Sequence, residues 1–136
     1  MNQHYSQSYT RQQICSVLDT IKDCIRENRY VISKNENRQE NIDFINEYNL
    51  TSKKQNEILL TIEPEDFCHK LQNTNLGFEH EILYVFCPQI ILVNFSGEEE
   101  LVDIYTKFNI IDIASGKRVV IISFHRCNRP IGYLFR

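Results

Sequence analysis

The longest alternating stretch of the chain begins at Leu101, with Val102, Ile104, Thr106, Phe108 and Ile110 on one face and Asp103, Tyr105, Lys107 and Asn109 on the other. A period of two predicts a half-buried strand, here with a chemically equipped polar face. A second run, Val119 to Phe124, is apolar on both faces and predicts a central strand, with Ser123 and His125 at its end. Between the two, Ala114-Ser115-Gly116 fits a three-residue hairpin loop with Gly116 in the left-handed region. That loop sets Ile113 opposite Lys117, Lys107 opposite Ser123 and Tyr105 opposite His125, so that phenol, ammonium and imidazole converge. A two-residue Ser115-Gly116 turn pairs Tyr105 with Arg126 instead.

Upstream the period changes. From Arg11 to Glu27, Ile14, Val17, Leu18, Ile21, Cys24 and Ile25 recur at helical spacing. Tyr30-Val31-Ile32 reads as a short edge strand, followed by the polar connection SKNENRQEN. Ile42, Phe44, Ile45 and Tyr48 carry a second helix ending near Asn49. A third starts at a Thr51 or Ser52 cap, with Gln55 placed for a capping box with Ser52 and Ile58, Leu59 and Leu60 as its buried end. Pro64-Glu65-Asp66 is a turn or a single helical turn and QNTNLG a loop; strands follow at Ile82 to Phe86 and Ile90 to Phe95, then a Ser96-Gly97 turn. Residues 1–10 read as a frayed, disordered tail and 11–136 as one domain. Helices before a meander define an α+β fold, N-terminal helices packed on a C-terminal antiparallel sheet.

A chain of 136 residues buries about two-thirds of its unfolded surface in a single core. The net charge of -3 selects no partner, but its distribution does. From Ile113 onward stand Lys117, Arg118, Arg126, Arg129 and Arg136 without an acid, which suits an anionic ligand such as a phosphodiester backbone. Five cysteines, odd in number and without a CxxC pair, read as reduced thiols of a cytoplasmic protein. No apolar run reaches the roughly 18 residues of a membrane span, so no membrane partner is expected. With four glycines there is no phosphate-cradling loop or GxSxG elbow, and HExxH is absent. Cys68, His69, His80, Cys87, His125 and Cys127 assemble a zinc site only on paper, because their spacings match no standard knuckle; neither metal nor cofactor is expected.

The remaining His, Tyr, Lys and Arg chemistry suits cleavage of RNA by its own 2′-hydroxyl. A base takes that proton, cations hold the phosphorane, and an acid protonates the leaving 5′-oxygen. Imidazole titrates near neutral pH, which makes His125 an acid or base candidate; Tyr105 is a base only beside a cation such as Lys107, and otherwise positions the phosphate.

The wording EILLTIEPEDF, YVF, DIYTKFNI and KRVVIISFHRCNRPIGYLF, in this order, resembles the MqsR family of mRNA interferase toxins over roughly residues 11–135. The resemblance implies a RelE-like fold, single-stranded mRNA as substrate and a cognate antitoxin as protein partner. It puts the family's catalytic tyrosine at Tyr105 and the lysine two residues on at Lys107. A family lysine falls on His125, and another on His69 with Lys70 beside it as the alternative auxiliary donor. Arg126, Arg129 and Lys117 complete the expected RNA contacts. Two departures stand out: the family's glutamine falls near Val85, where nothing equivalent stands, and the segment from Pro88 to Glu100 is longer than the corresponding hairpin. A non-catalytic module binding nucleic acid or protein through the basic face is the rival reading.

Overall fold

The computed structural model describes residues 5–34, 38–73, 76–77 and 80–136. The first four residues of the expected tail, three of the polar connection and two of the QNTNLG loop lie outside them. Helix α1 is Arg11–Arg26, opened by a capping box between Thr10 and Gln13, and it buries Ile14, Leu18, Ile21, Cys24 and Ile25. The other helices are α2, Gln39–Glu47, and α3, Ser52–Leu60. The strands are β1 Tyr5–Ser6, β2 Tyr30–Ile32, β3 Phe67–Gln72, β4 Ile82–Phe86, β5 Gln89–Val93, β6 Glu99–Ile113 and β7 Gly116–Arg126. Pro64–Asp66 forms one 3-10 turn. The fold is α+β, and the sheet runs β1-β3-β4-β6-β7-β2. It is mixed rather than purely antiparallel, because β2 joins β7 in parallel. β4 and β5 lie end to end along β6, so the long Pro88 to Glu100 segment becomes a two-stranded arm.

Several expectations need correction. Residues 5–10 are not frayed: β1 pairs β3, the Gln7 amide donates to the Cys68 carbonyl at 2.9 Å, and Tyr9 packs edge-on to Phe67. Helix α2 begins at Gln39, inside the expected polar connection. Thr51, not Ser52, caps α3 through the Lys54 N–H, and the Gln55 amide turns inward to the Leu50 carbonyl instead of closing a capping box. No described helix is long and apolar enough to cross a membrane.

The sheet has two unlike faces. Against the helices it presents Phe67, Phe86, Phe108 and Phe124, all fully buried, with Phe67, Phe86 and Phe108 in successive edge-to-face contacts at 5.4 and 5.8 Å. Each such ring contributes on the order of 2–3 kcal/mol of burial. Among the described residues the opposite face carries a small apolar cluster, Cys68, Val85 and Cys87, covered by Ile131 and Tyr133 of the segment after β7. That segment is held by the Tyr133 hydroxyl on the Cys87 carbonyl (2.7 Å) and by the Arg136–Asp66 ion pair (2.6 Å). The uncovered part of this second face is where polar chemistry collects.

Two β-bulges decide which side chains reach it. The β6–β7 turn holds two residues, Ala114 and Ser115, and pairs Ile113 with Gly116, whose φ of +127° suits glycine. Both turns considered from the sequence are therefore replaced by a third. From this turn the register runs to Phe108 opposite Ile121 and then shifts, leaving Ile122 as an extra residue and pairing Lys107 with Ser123 and Tyr105 with His125. The pairing expected for the site is present because a shorter turn and an added residue cancel. The bulge also reverses the alternation: Val119, Ile121 and Phe124 all enter the core, while Ser123 and His125 pass to the opposite face. In β3 the register shifts in the same way between Phe67 and His69, sending Phe67 to the core and His69 to the site face. An amide side chain caps each bulge carbonyl, Gln7 on Cys68 and Asn41 on Ile122, both at 2.9 Å.

Candidate active site

Register places His69, Val85, Lys107 and Ser123 in one row across β3, β4, β6 and β7, with Tyr105 and His125 in the next. All of these except Val85 line a cavity of about 380 Å³. One wall is the start of α2, supplying Arg38 and Glu40; another is the chain leaving β7, supplying Cys127, Asn128, Arg129, Pro130 and Ile131. Val85, near which the resemblance puts a glutamine, is fully buried in the apolar cluster beneath.

His125 is held from several sides. Its ring stacks on Tyr105, with centroids 5.5 Å apart and planes at 25°. Nδ1 lies 2.9 Å from the Arg126 carbonyl, and a carbonyl only accepts, so Nδ1 carries the proton and Nε2 is the basic nitrogen of the neutral ring. Glu40 Oε2 stands 3.8 Å from Nδ1 and also accepts from the Asn128 amide at 3.0 Å. The ring's charged form therefore has a carboxylate beside it.

The neighbours are tuned differently. Burial, helped by the thiols of Cys127, Cys68 and Cys87, pushes the Tyr105 phenol up to about 12. The Lys107 ammonium stands over the Tyr105 ring, 5.9 Å from its centroid. Tyr105 is thus a neutral hydrogen-bond donor near pH 7, not a base. Burial, and secondarily Arg38, lowers the Lys107 pKa, which makes it a readier proton donor. Burial and then Lys107 push His69 down from 6.5 to about 4. A folded state that prefers neutral imidazole loses stability as pH falls from the unfolded value toward the folded one, because the unfolded chain binds the proton first. Between pH 7 and 4.5, wild type is expected to lose about 2 kcal/mol more than His69→Gln, after discounting for partial solvent screening. Urea unfolding at the two pH values checks this; parallel losses in both proteins contradict it.

The structure brings Tyr105, Lys107, His125, His69 and Arg129 to the cavity, and leaves three expected RNA contacts elsewhere. Lys70 pairs with Tyr84 and Ser6 and points opposite to His69, as strand neighbours must. Arg126 turns to the helix side, where it bonds the Tyr48 hydroxyl and pairs with Glu47 (3.3 Å) and Glu100 (3.4 Å). Lys117 pairs with Asp112 at 2.8 Å, beside the hairpin turn. His125 lies about eight residue steps along the strand from Lys117, roughly 26 Å. Alanine at Arg126 is expected to cost about 1 kcal/mol of stability and, like alanine at Lys117, to leave oligonucleotide affinity within about twofold. A loss of affinity in both variants by anisotropy titration contradicts this placement.

Sequence reasoning missed Arg38, Glu40 and Asn128. Arg38 and Glu40 sit where the polar pattern reads as a connection, and only the early start of α2 aims them at the cavity. Among the described residues no group of three His, Cys, Asp or Glu side chains is placed to hold a metal ion, and the five cysteines are free thiols. Comparison with known proteins returns no matching family model, no matching curated protein and no matching solved structure.

Proposed function

We propose that the protein is a metal-independent endoribonuclease acting on single-stranded RNA. The observation that carries this reading is the meeting of one imidazole of fixed tautomer, one neutral phenol and one half-buried ammonium at a single cavity. His125 Nε2 takes the proton from the 2′-hydroxyl; O2′ bonds to phosphorus as the bond from phosphorus to O5′ breaks, and Lys107 gives its proton to O5′. Tyr105 donates to a non-bridging oxygen, where a preorganised donor is worth about 3 kcal/mol. Neutral His69 is an auxiliary donor. The products are a 2′,3′-cyclic phosphate and a 5′-hydroxyl.

Activity as an mRNA interferase toxin in the cytoplasm, held by a cognate antitoxin, follows from the resemblance to the MqsR family and is part of the same proposal. The test is incubation with a defined RNA in excess EDTA, with analysis of the new ends. Cyclic phosphate and 5′-hydroxyl termini are expected; cutting that requires an added divalent ion, or leaves 5′-phosphate ends, overturns the reading. One observation favours the rival binding module: buried Val85 offers no polar group where the family's glutamine falls. RNA retained without any cutting selects that module.

A further inference from the structure

Positive charge at the cavity is arranged in two tiers. Lys107 lies at the floor, in the row of His69 and Ser123. Arg38 enters from the residue before α2, and Arg129 from the chain that leaves β7. The chain has eight arginines. Arg11, Arg26, Arg29, Arg126 and Arg136 are each held by a carboxylate. Arg38 and Arg129 have no carboxylate within ion-pair distance among the described residues. Neither does Arg118, but it pairs with Ile111 beside the turn, away from the cavity. The carboxylate that lines the cavity, Glu40, is engaged by Asn128 and stands beside His125.

Two guanidiniums brought to one rim from separate elements, above a half-buried ammonium, concentrate positive potential that a bound anion relieves. The scissile phosphate has Lys107 and the Tyr105 phenol at the floor. A polynucleotide must leave the cavity past the rim on both sides of that phosphate, and a guanidinium fork matches phosphate oxygens in pairs. We propose that Arg38 and Arg129 bind the phosphates flanking the scissile one, so that the substrate is a single strand with phosphates on both sides of the cut and not a dinucleotide. The assignment of the central phosphate rests on the endoribonuclease reading; the two outer anion contacts do not.

Binding of a fluorescent oligodeoxyuridine of about 12 nucleotides, which lacks the nucleophile, separates the two ideas when titrated from about 50 to 300 mM salt. Arg38→Ala and Arg129→Ala are each expected to weaken binding about tenfold at the low-salt end. Each is also expected to lower the slope of log affinity against log salt by about 0.7, the value for one phosphate on a single strand. Arg38→Lys keeps the slope and loses part of the affinity. On a cleavable RNA of that length Arg38→Ala raises KM about tenfold and lowers kcat far less, while the KM of a dinucleoside monophosphate, already a poor substrate, is the same for wild type and variant. Slopes and KM unchanged in both alanine variants, with circular dichroism confirming that they fold, overturn the flanking contacts even if RNA is cut. Lost slopes in a protein that cuts no RNA support the contacts and sink the endoribonuclease reading alone.

Discussion

Alanine at position 125 is expected to lower single-turnover cleavage of RNA about a thousandfold, within the range for a positioned acid or base. Affinity for an uncleavable oligonucleotide should stay within about threefold. The argument is geometric. The ring is only 14% exposed, Nδ1 is committed to the Arg126 carbonyl, and the face lies on Tyr105, so Nε2 is the nitrogen left to take a proton from substrate. Alanine removes that base without touching Lys107 or the Tyr105 hydroxyl, which hold the scissile phosphate. A rate within tenfold of wild type contradicts the role of His125. Equal losses of rate and affinity show that the imidazole only binds.

The second large effect is expected from a residue that does not line the cavity. Asn41 is 1% exposed and spans three backbone groups. Its amide donates to the Ser33 and Ile122 carbonyls, both at 2.9 Å, and its oxygen accepts from the Phe124 N–H at 2.8 Å. Ile122 is the bulge residue of β7, so this one side chain from α2 satisfies the groups that the register shift removes from the ladder. Asn41→Leu keeps the volume but strands three buried polar groups, at about 1–3 kcal/mol each before relaxation. The expected net loss is about 3 kcal/mol by urea unfolding, or about 10 °C in Tm.

The folded fraction of Asn41→Leu should also cut RNA at least tenfold more slowly, because a bulge that slips returns Ser123 and His125 to the core parity of Val119 and Ile121. Asn41→Asp keeps the acceptor for Phe124 but loses both donors, and should fall between wild type and leucine in rate. Stability within about 0.5 kcal/mol of wild type in the leucine variant contradicts this account of the bulge.

Much of this architecture is written in hydrophobic period. Helix α1, the alternation of β6 and the apolar run of β7 follow from spacing alone, because each buries a wide apolar face against the same core. The Tyr105–His125 pairing was reached through an incorrect turn, and it stands because the bulge restores the residue that the shorter turn removes. Nothing local marks that bulge. Its cap, Asn41, lies 81 residues from Ile122, so only tertiary structure shows the exchange. The Cys68 bulge is likewise capped by Gln7, 61 residues away, in a stretch whose two-residue strand is too short to leave a periodic signal.

Other misplacements were readable. Lys70 neighbours His69, and Arg126 neighbours His125, on strands whose side chains alternate, so neither shares a face with its histidine. Grouping the basic residues after Ile113 as one block hid that constraint. Arg38 is different in kind: it lies in a polar tract with no period, and its role depends on where α2 starts.

The central claim is that the nucleophile belongs to the RNA and the protein supplies proton transfer and charge. The most direct measurement uses one single-stranded oligonucleotide cut at a mapped position, made in two forms that differ only in a 2′-deoxy sugar at that position, each incubated with wild-type protein in excess EDTA. The account predicts cutting of the ribose form, with cyclic phosphate and 5′-hydroxyl ends, and no cutting at that position in the deoxy form, although both bind equally well. Equal cutting of the two forms would contradict it, because water or a protein group would then be the attacking nucleophile.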